Sequence, residues 1–251
     1  MSLSLSAREV RHSHGGVLAL DDVSLDVNAG SITALVGESG SGKTTLLKTF
    51  NRMIDPDAGS VWVGDVDVRD TDPVALRRRI GYVPQHGGLL PHWTVHRNVA
   101  LVPRLAGANE AGDAADAALL LVGLDPARFA SRYPHELSGG QRQRAALARS
   151  LAGKQQVILL DEPFGALDAI SRAESHEAFE RVRLARAFTG ILVTHDLSEA
   201  ARLADRVVVL RGGRVEQAGT MADLRQRPAT DYVENLLARA VAAHASLVGA
   251  R

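Results

Sequence analysis

The chain has 251 residues, with 29 basic and 29 acidic side chains, a formal net charge of zero and no cysteine. This balance gives no general attraction to nucleic acid, and the lack of cysteine excludes disulfides, a thiol nucleophile and a Cys-based metal site. The length suits one α/β domain with subdomains. Apolar runs such as residues 117–122 fall far short of the ~20 residues that cross a membrane. Residues 1–6 do not resemble a signal peptide, so we expect a soluble chain.

A small β subdomain is predicted near the start of the chain. Residues 7–30 alternate apolar and polar side chains, as at Val23, Leu25 and Val27. Alternation with a period of two is typical of strands with one buried face. Valines 61, 63, 66 and 68 continue the pattern. We therefore expect an antiparallel β subdomain of about residues 7–30 and 58–84.

A phosphate-binding loop follows the apolar run at residues 32–36. Glycines let backbone N–H groups approach phosphates closely, and a strand, a loop and a helix are the expected context. Lys43 would reach the β- and γ-phosphates of a nucleotide, and the Thr44 hydroxyl would bind Mg²⁺. Only three of the 29 basic residues are lysines, so a compact ammonium here is a specific choice. The loop and the first residue of the predicted helix are Gly37-Glu38-Ser39-Gly40-Ser41-Gly42-Lys43-Thr44-Thr45.

A helical subdomain is predicted over about residues 86–155, which are rich in Ala and Leu and broken at Pro103, Gly123 and Pro134. Within it, a serine that is a good N-cap precedes two glycines and a regular helical pattern. The glycines would leave the backbone N–H groups uncovered, so this helix start would attract an anion. The motif is Leu137-Ser138-Gly139-Gly140-Gln141.

Two buried strands are predicted to end in polar side chains. The apolar run 157–160 precedes Asp161 and Glu162, and the run 191–194 precedes His195. Unbroken apolar runs suit a parallel sheet, in which ligands bind at the carboxyl ends of the strands. Asp161 would hold Mg²⁺ through water, and Glu162 would polarise an attacking water. The plainer alternatives are an acidic turn after a core strand and a capping or surface histidine.

The rest of the chain completes the predicted core. A strand at 206–210 precedes a turn at 211–214, and a helical pattern runs from Pro228. The predicted core therefore comprises about residues 31–57 and 156–225, and a helical tail comprises about residues 228–251. No internal repeat is present, so we expect a single domain over residues 1–251.

The order of these motifs resembles the nucleotide-binding subunit of ATP-binding cassette (ABC) transporters over about residues 8–237. The resemblance implies a P-loop NTPase fold with a RecA-like core, and it implies ATP and Mg²⁺ as ligands. Residues 37–44 match Walker A, 157–162 match Walker B and 137–141 match the signature. By the same resemblance, Gln85 is the Q-loop glutamine and a Mg²⁺ ligand, Asp168 belongs to the D-loop, and His195 is the switch histidine. Lys43, Gln85, Glu162 and His195 then form the catalytic set.

Partners follow from the same resemblance. Ser138 and its glycines would grip the γ-phosphate of ATP bound to a second copy, in a head-to-tail dimer with two-fold symmetry. Several less specific stretches are similar to importers of osmoprotectant quaternary amines such as glycine betaine, choline and carnitine. They include residues 51–54, 76–82, 90–95, 98–103, 133–137 and 164–168. Transmembrane permease subunits and, indirectly, an extracellular or periplasmic substrate-binding protein are then expected. The chain would lie peripherally on the cytoplasmic face of the membrane.

Other positions carry narrower expectations. His14, or Ser13 if the loop is one residue longer, takes the place of the family's adenine-stacking aromatic residue. The segment 85–99, with apolar Leu89, Leu90, Trp93 and Val95, is predicted to dock a permease helix. His92 and His96 have a spacing that could place two metal ligands on one helix face, but no third ligand is near. Arginines 77–79 suit a solvated turn or helix face better than a phosphate or lipid contact.

Two other classes of protein share part of this pattern. A soluble ABC ATPase that acts on nucleic acid or ribosomes generally has two cassettes or a long coiled-coil insertion, and neither is present. A P-loop kinase or GTPase leaves residues 137–141 unexplained and needs a guanine-reading motif that is absent. The importer subunit therefore accounts for more of the chain.

Overall fold

Two β-sheets organise the chain. The computed structural model describes residues 2–248, with side chains described to residue 242. One sheet has four antiparallel strands in the order β2-β1-β4-β5, and the other has six strands in the order β10-β9-β3-β8-β7-β6. The strands are β1 Leu5–His14, β2 Val17–Val27, β3 Ile32–Val36, β4 Ala58–Val63, β5 Val66–Asp67, β6 Ile80–Val83, β7 Val157–Asp161, β8 Thr189–Val193, β9 Arg206–Arg211 and β10 Arg214–Gly219.

The six-stranded sheet is parallel except for β10, which pairs antiparallel with β9. All residues of β3, β7 and β8 are buried, as their unbroken apolar runs predict. The assignment of residues 80–83 to the β subdomain is wrong, because β6 pairs with β7 in this sheet. Its short apolar sequence fits either sheet, and only the long-range pairing decides between them.

Eleven α-helices lie in the described part of the chain. They are α1 Lys43–Thr49, α2 Pro73–Arg79, α3 Val95–Val99, α4 Leu101–Leu105, α5 Ala111–Leu121, α6 Pro126–Phe129, α7 Gly139–Ala152, α8 Ala169–Ala185, α9 Leu197–Leu203, α10 Met221–Gln226 and α11 Asp231–Val248. None of the helices described is long and apolar enough to cross a membrane. The predicted C-terminal helix is α11, and residues 249–251 of that prediction lie outside the described residues.

The predicted helix break at Pro103 is wrong. Pro103 lies inside α4, in its first turn, where a residue without an N–H group loses no helical hydrogen bond. The helical conformation ends instead at Gly107, whereas the predicted break at Gly123 is present; the φ values of these glycines are 77° and 74°. Glycine adopts this left-handed conformation without a steric penalty.

The two faces of the six-stranded sheet bury different clusters. One face packs against α5, α7 and α8 through side chains that include Leu119, Leu147 and Phe179. The opposite face packs against α1 and the four-stranded sheet through Phe50 and Val23, among others. Successive residues of a strand point to opposite faces, so β3, β6, β7 and β8 each contribute to both clusters. The carboxyl ends of the parallel strands are thereby held at one common edge.

Candidate functional site

The phosphate-binding loop packs tightly against its neighbours. Gly37 has a φ of 148°, and a Cβ atom there would lie 2.1 Å from the Leu210 carbonyl oxygen. Gly42 has a φ of 100°, and its Cβ would lie 2.5 Å from the Ala19 carbonyl oxygen. Any other residue at these two positions would force the loop away from β9 or β2. The glycines thus fix a bare backbone at the end of β3, which is the surface that a phosphate group needs.

Lys43 is held within this loop. Its ammonium donates hydrogen bonds to the carbonyl oxygens of Gly37 at 2.9 Å and Glu38 at 2.7 Å. Burial lowers the pKa of Lys43, whereas the Glu162 and Asp161 carboxylates act in the opposite direction. The charge is therefore placed at the centre of the loop with two acids close by. Of the other loop residues, Ser41 is buried, Thr44 and Thr45 are half-buried, and Glu38, Ser39 and Gly40 are exposed.

Thr44 and Asp161 come together at the end of the sheet. The Thr44 hydroxyl donates a 2.7 Å hydrogen bond to Asp161 Oδ1, although the residues are 117 positions apart. Thr44 lies in the first turn of α1, and Asp161 is the last residue of β7. Asp161 is only 5% exposed. The pair therefore places a hydroxyl oxygen and a carboxylate oxygen side by side, and its role in binding Mg²⁺ stays a prediction.

The Glu162 carboxylate lies beside two other residues of the predicted catalytic set. Its Oε2 accepts a 3.1 Å hydrogen bond from Gln85 Nε2 and lies 3.6 Å from His195 Nδ1. The Glu162 N–H donates to the Val193 carbonyl oxygen at 3.0 Å, which ties the residue to β8. Glu162 has a φ of 46°, so a non-glycine residue occupies the left-handed region at this point. The structure thus brings Gln85, Glu162 and His195 together at the ends of three adjacent strands.

His14 lies beside the start of α1. Its Nε2 is 3.5 Å from the Thr45 hydroxyl, and its ring packs edge-on against His12 with a centroid distance of 4.5 Å. The backbone N–H of Ser13 donates to Asp57 instead. Of the two positions considered for adenine stacking, His14 is therefore the one whose ring lies against the phosphate-loop helix. The stacking role itself stays a prediction.

The signature residues form the N-terminus of α7. The Ser138 hydroxyl accepts from Gln141 N–H at 3.2 Å, and the Gln141 side chain accepts from Ser138 N–H at 3.0 Å. This reciprocal pair is a capping box. Leu137, just before it, is buried in the core. Ser138 is exposed and Gly139 is half-buried, so the helix start faces outward.

Gly140 departs from the prediction that both glycines uncover the backbone. It is buried, and a Cβ atom there would lie 2.8 Å from Ser171 Cβ on α8. Its lack of a side chain therefore allows α7 and α8 to pack closely. Asp168, the predicted D-loop residue, caps α8: its Oδ1 accepts from the backbone N–H groups of Ile170 and Ser171. These hydrogen bonds lower the pKa of Asp168.

Arg149 is a residue that the sequence interpretation missed. From the third turn of α7, its guanidinium donates to the carbonyl oxygens of Gly88 at 2.6 Å and Gly87 at 2.8 Å. These glycines come two and three residues after Gln85, so the signature helix holds the loop that follows the glutamine. Burial lowers the pKa of Arg149. No sequence signal separates this arginine from its neighbours in a helix with several arginines.

The predicted docking segment is less exposed than its sequence suggests. Val95 is fully buried at the start of α3, and Leu89 packs against the core. The Asn98 side chain is also fully buried and holds the loop by accepting from Leu90 N–H and donating to three backbone carbonyl oxygens. Trp93 is half-buried beneath the Arg97 guanidinium, 4.1 Å from the ring centroid. Of the four apolar residues, only Leu90 and Trp93 remain partly accessible outside the core cluster.

The structure also shows where the histidine pair and the arginine run of the sequence analysis lie. His92 precedes α3, so it does not share a helix face with His96, whose ring nitrogen lies 3.5 Å from Asp116 Oδ1. Arginines 77–79 lie in the exposed last turn of α2, as the solvated-face interpretation predicts. Arg77 additionally donates to the backbone carbonyl oxygen of Asn51.

The site residues fit ATP and Mg²⁺ by their donor chemistry. Bare backbone and one ammonium surround the phosphate position, and a hydroxyl and a carboxylate lie 2.7 Å apart beside it. Within residues 2–242, no group of three or more His, Cys, Asp or Glu side chains is arranged to hold a metal ion. A site built from Thr44 and Asp161 suits Mg²⁺, which is commonly bound through few protein oxygens together with phosphates.

Comparison with known proteins agrees with this geometry. The ABC transporter family profile matches residues 20–165, which is more than half of the chain. The chain belongs to the ABC transporter family. It is 43% identical over 227 residues to the choline transport ATP-binding protein OpuBA of Bacillus subtilis, covering 90% of this chain and 59% of that protein. It is 42% identical over 227 residues to the glycine betaine uptake system ATP-binding protein YehX of Escherichia coli, covering 90% of this chain and 73% of that protein.

Similarity extends beyond one group of importers. The sulfate/thiosulfate import ATP-binding protein CysA of Nocardia farcinica is 45% identical over 235 residues, covering 93% of this chain and 70% of that protein. Among solved structures, the dimeric bacterial ABC transporter cassette MJ0796 matches with a TM-score of 0.77 and 32% identity, over 86% of this chain and 98% of that one. The predicted α/β cassette fold is confirmed. The chain spans less than two thirds of the length of OpuBA.

The packing of Gly140 against α8 predicts a difference between the two signature glycines. Gly140→Ala should lower the free energy of unfolding by about 1–3 kcal/mol, because its Cβ overpacks the α7–α8 contact. Gly139→Ala is the matched control: its Cβ meets only the mobile end of Leu167 at 3.4 Å, so we expect a change within about 0.5 kcal/mol. Urea denaturation of both variants measures this. Equal stability of the two variants would show that Gly140 is not needed for packing.

Proposed function

We propose that the chain is the ATP-hydrolysing subunit of a membrane importer. The observation that carries this proposal is the convergence of Gln85, Glu162 and His195 beside the Lys43 loop. A carboxylate next to a phosphate-binding loop, flanked by an amide and an imidazole, is an arrangement that can orient a water for attack on a γ-phosphate. The four-stranded sheet, the helical region 86–155 and the six-stranded sheet would serve as subdomains of one cassette.

Each residue has a distinct task in this proposal. The loop N–H groups and Lys43 bind the β- and γ-phosphates of ATP. Thr44 and Asp161 would hold Mg²⁺, with Gln85 as a further contact, and the ion would supply positive charge beside the phosphates. Glu162 accepts the proton that the attacking water loses. Gln85 and His195 both lie beside Glu162 Oε2 and would fix the orientation of its carboxylate.

A second copy would complete the site. Ser138 and the first turn of α7 face outward, so they are available to the γ-phosphate of ATP bound to another molecule of this chain. The dimeric state of the similar MJ0796 cassette supports this arrangement. Asp168 caps α8 directly beside α7, at the same surface. In a two-fold dimer, each copy would then supply one phosphate loop and one signature to each of two sites.

The imported solute is proposed from the relatives. OpuBA is named for choline and YehX for glycine betaine, so we propose osmoprotectant quaternary amines as the solute class. CysA, named for sulfate and thiosulfate, makes an inorganic anion the alternative. Permease subunits would form the path through the membrane, with a substrate-binding protein outside. The chain would lie on the cytoplasmic face and contact the permease near Leu90 and Trp93.

Glu162→Gln tests the hydrolytic role. The amide keeps the shape and the hydrogen-bonding position but loses the carboxylate, so we expect ATP hydrolysis to fall at least about 100-fold while ATP binding is retained. The ATP-bound dimer should also become long-lived, which size-exclusion chromatography detects. The exposed residue Glu110 provides the control, since Glu110→Gln should hydrolyse ATP normally. Near-normal turnover in Glu162→Gln would refute the assignment.

Mixing two inactive variants tests the shared sites. Ser138→Arg should bind ATP but not hydrolyse it, and Lys43→Ala should lose ATP binding. In a mixed dimer, one site carries both defects and the other carries neither. An equal mixture should therefore recover about a quarter of wild-type ATPase activity if the two sites act independently. No recovery, or full activity of Ser138→Arg alone, would contradict the shared-site arrangement.

Reconstitution with the permease tests the solute. The permease that co-purifies with the chain is placed in vesicles, and ATP-dependent uptake of labelled glycine betaine, choline, carnitine or sulfate is measured. We expect uptake of a quaternary amine, with vesicles containing Glu162→Gln as the inactive control. Uptake of sulfate alone would move the chain to the other importer class, and co-purification with nucleic acid or ribosomes instead of a permease would refute import.

A further inference from the structure

The two oxygens of the Asp161 carboxylate have different neighbours. Oδ1 accepts the 2.7 Å hydrogen bond from Thr44. Oδ2 accepts a 3.3 Å hydrogen bond from the Tyr82 hydroxyl and lies 4.0 Å from the Lys48 ammonium. One oxygen thus faces the proposed Mg²⁺ site, and donors from β6 and α1 occupy the other.

The alternation of the strands explains why these groups meet. Tyr82 pairs in register with Leu159, and Asp161 lies two residues further along β7 on the same face. That face also packs against α1. Lys48 stands one helical turn after Thr44, so both point towards the end of β7. The contact between Tyr82 and Asp161 is therefore set by the register of β6 and β7 and not by the conformation of a loop.

The Tyr82 hydroxyl is held in place as a donor. Its ring is half-buried and packs against the core cluster that includes α1, and its hydroxyl reaches Asp161 Oδ2 from the neighbouring strand. Because a carboxylate rotates easily about its last side-chain torsion, a donor on one oxygen restricts where the other points.

We propose that Tyr82 is a positioning residue of the magnesium site, which holds Asp161 so that Oδ1 faces Thr44 and the bound ion. This inference rests on the proposed ATPase function and adds to it a residue outside the predicted catalytic set. Outer partners of metal-binding side chains characteristically contribute about 10- to 100-fold in metal affinity. Lys48 contributes charge at the same oxygen, but its long side chain does not fix an orientation as the rigid phenol does.

Tyr82→Phe in the full chain tests the proposal, since it removes only the hydroxyl. A fluorescent non-hydrolysable ATP analogue is bound in EDTA, and free Mg²⁺ is then titrated while fluorescence and the melting temperature are followed. We expect the variant to keep its ligand-free melting temperature and its affinity for the analogue in EDTA. The Mg²⁺ concentration at the midpoint should rise about tenfold. Tyr133→Phe, which removes an exposed hydroxyl, should keep the wild-type midpoint.

A second pair of variants asks whether Tyr82 acts through Asp161. In an Asp161→Asn background, Tyr82→Phe should cause no further shift of the Mg²⁺ midpoint. An unshifted midpoint in the single variant, or an equal shift in the Asp161→Asn background, would overturn the positioning role. A wild-type chain that binds no nucleotide with or without Mg²⁺ would instead overturn the proposed function, and this inference with it.

Discussion

The hydrogen bond between Thr44 and Asp161 joins the phosphate loop to the acidic strand, and the arrangement of the site depends on it. The bond can form because β3 and β7 run in the same direction on either side of β8. Both strands therefore end at one edge of the sheet. A register slip of one residue in β7 would turn Asp161 to the opposite face and separate Lys43 from both acids. The core that fixes this register is thus also what fixes the chemistry.

The helical region is tied to this edge through few contacts. Gln85 donates a hydrogen bond to Glu162. Arg149 of the signature helix donates hydrogen bonds to the carbonyl oxygens of Gly87 and Gly88, which follow Gln85 by two and three residues. A displacement of α7 would pull on the segment that begins at Gln85. A continuous series of contacts therefore links the surface proposed to meet a second copy with the carboxylate proposed to orient water.

Much of the site is accessible to prediction because its chemistry is local. The residues from Gly37 to Thr44 are contiguous, Asp161 follows an unbroken apolar run, and His195 follows the short strand sequence Ile191-Leu192-Val193-Thr194. The features that the sequence did not predict are those that depend on long-range packing. The place of β6 in the larger sheet, the contact of Gly140 with α8 and the hydrogen bonds of Arg149 all depend on partners more than 25 residues away.

Apolar composition alone also misleads about exposure. The sequence places Val95 in an apolar loop that is predicted to be exposed. In the structure Val95 is buried at the start of α3, because the Asn98 side chain holds the preceding segment against the helix. The buried side-chain amide fixes this conformation together with the hydrogen bond from Val95 N–H to the Arg132 carbonyl oxygen, and a sequence pattern does not distinguish this amide from that of an exposed asparagine. The same reasoning limits the proposed permease contact to the two apolar residues that the core leaves uncovered.

The backbone of Glu162 has a consequence for how this chain could change over generations. A non-glycine residue at a φ of 46° costs about 1 kcal/mol, which a glycine at the same position would not. Drift towards greater stability would therefore favour loss of the one side chain that Gln85 and His195 surround. An inactive descendant of this cassette, kept only as a structural half of a pair, would be expected to lose its glutamate first.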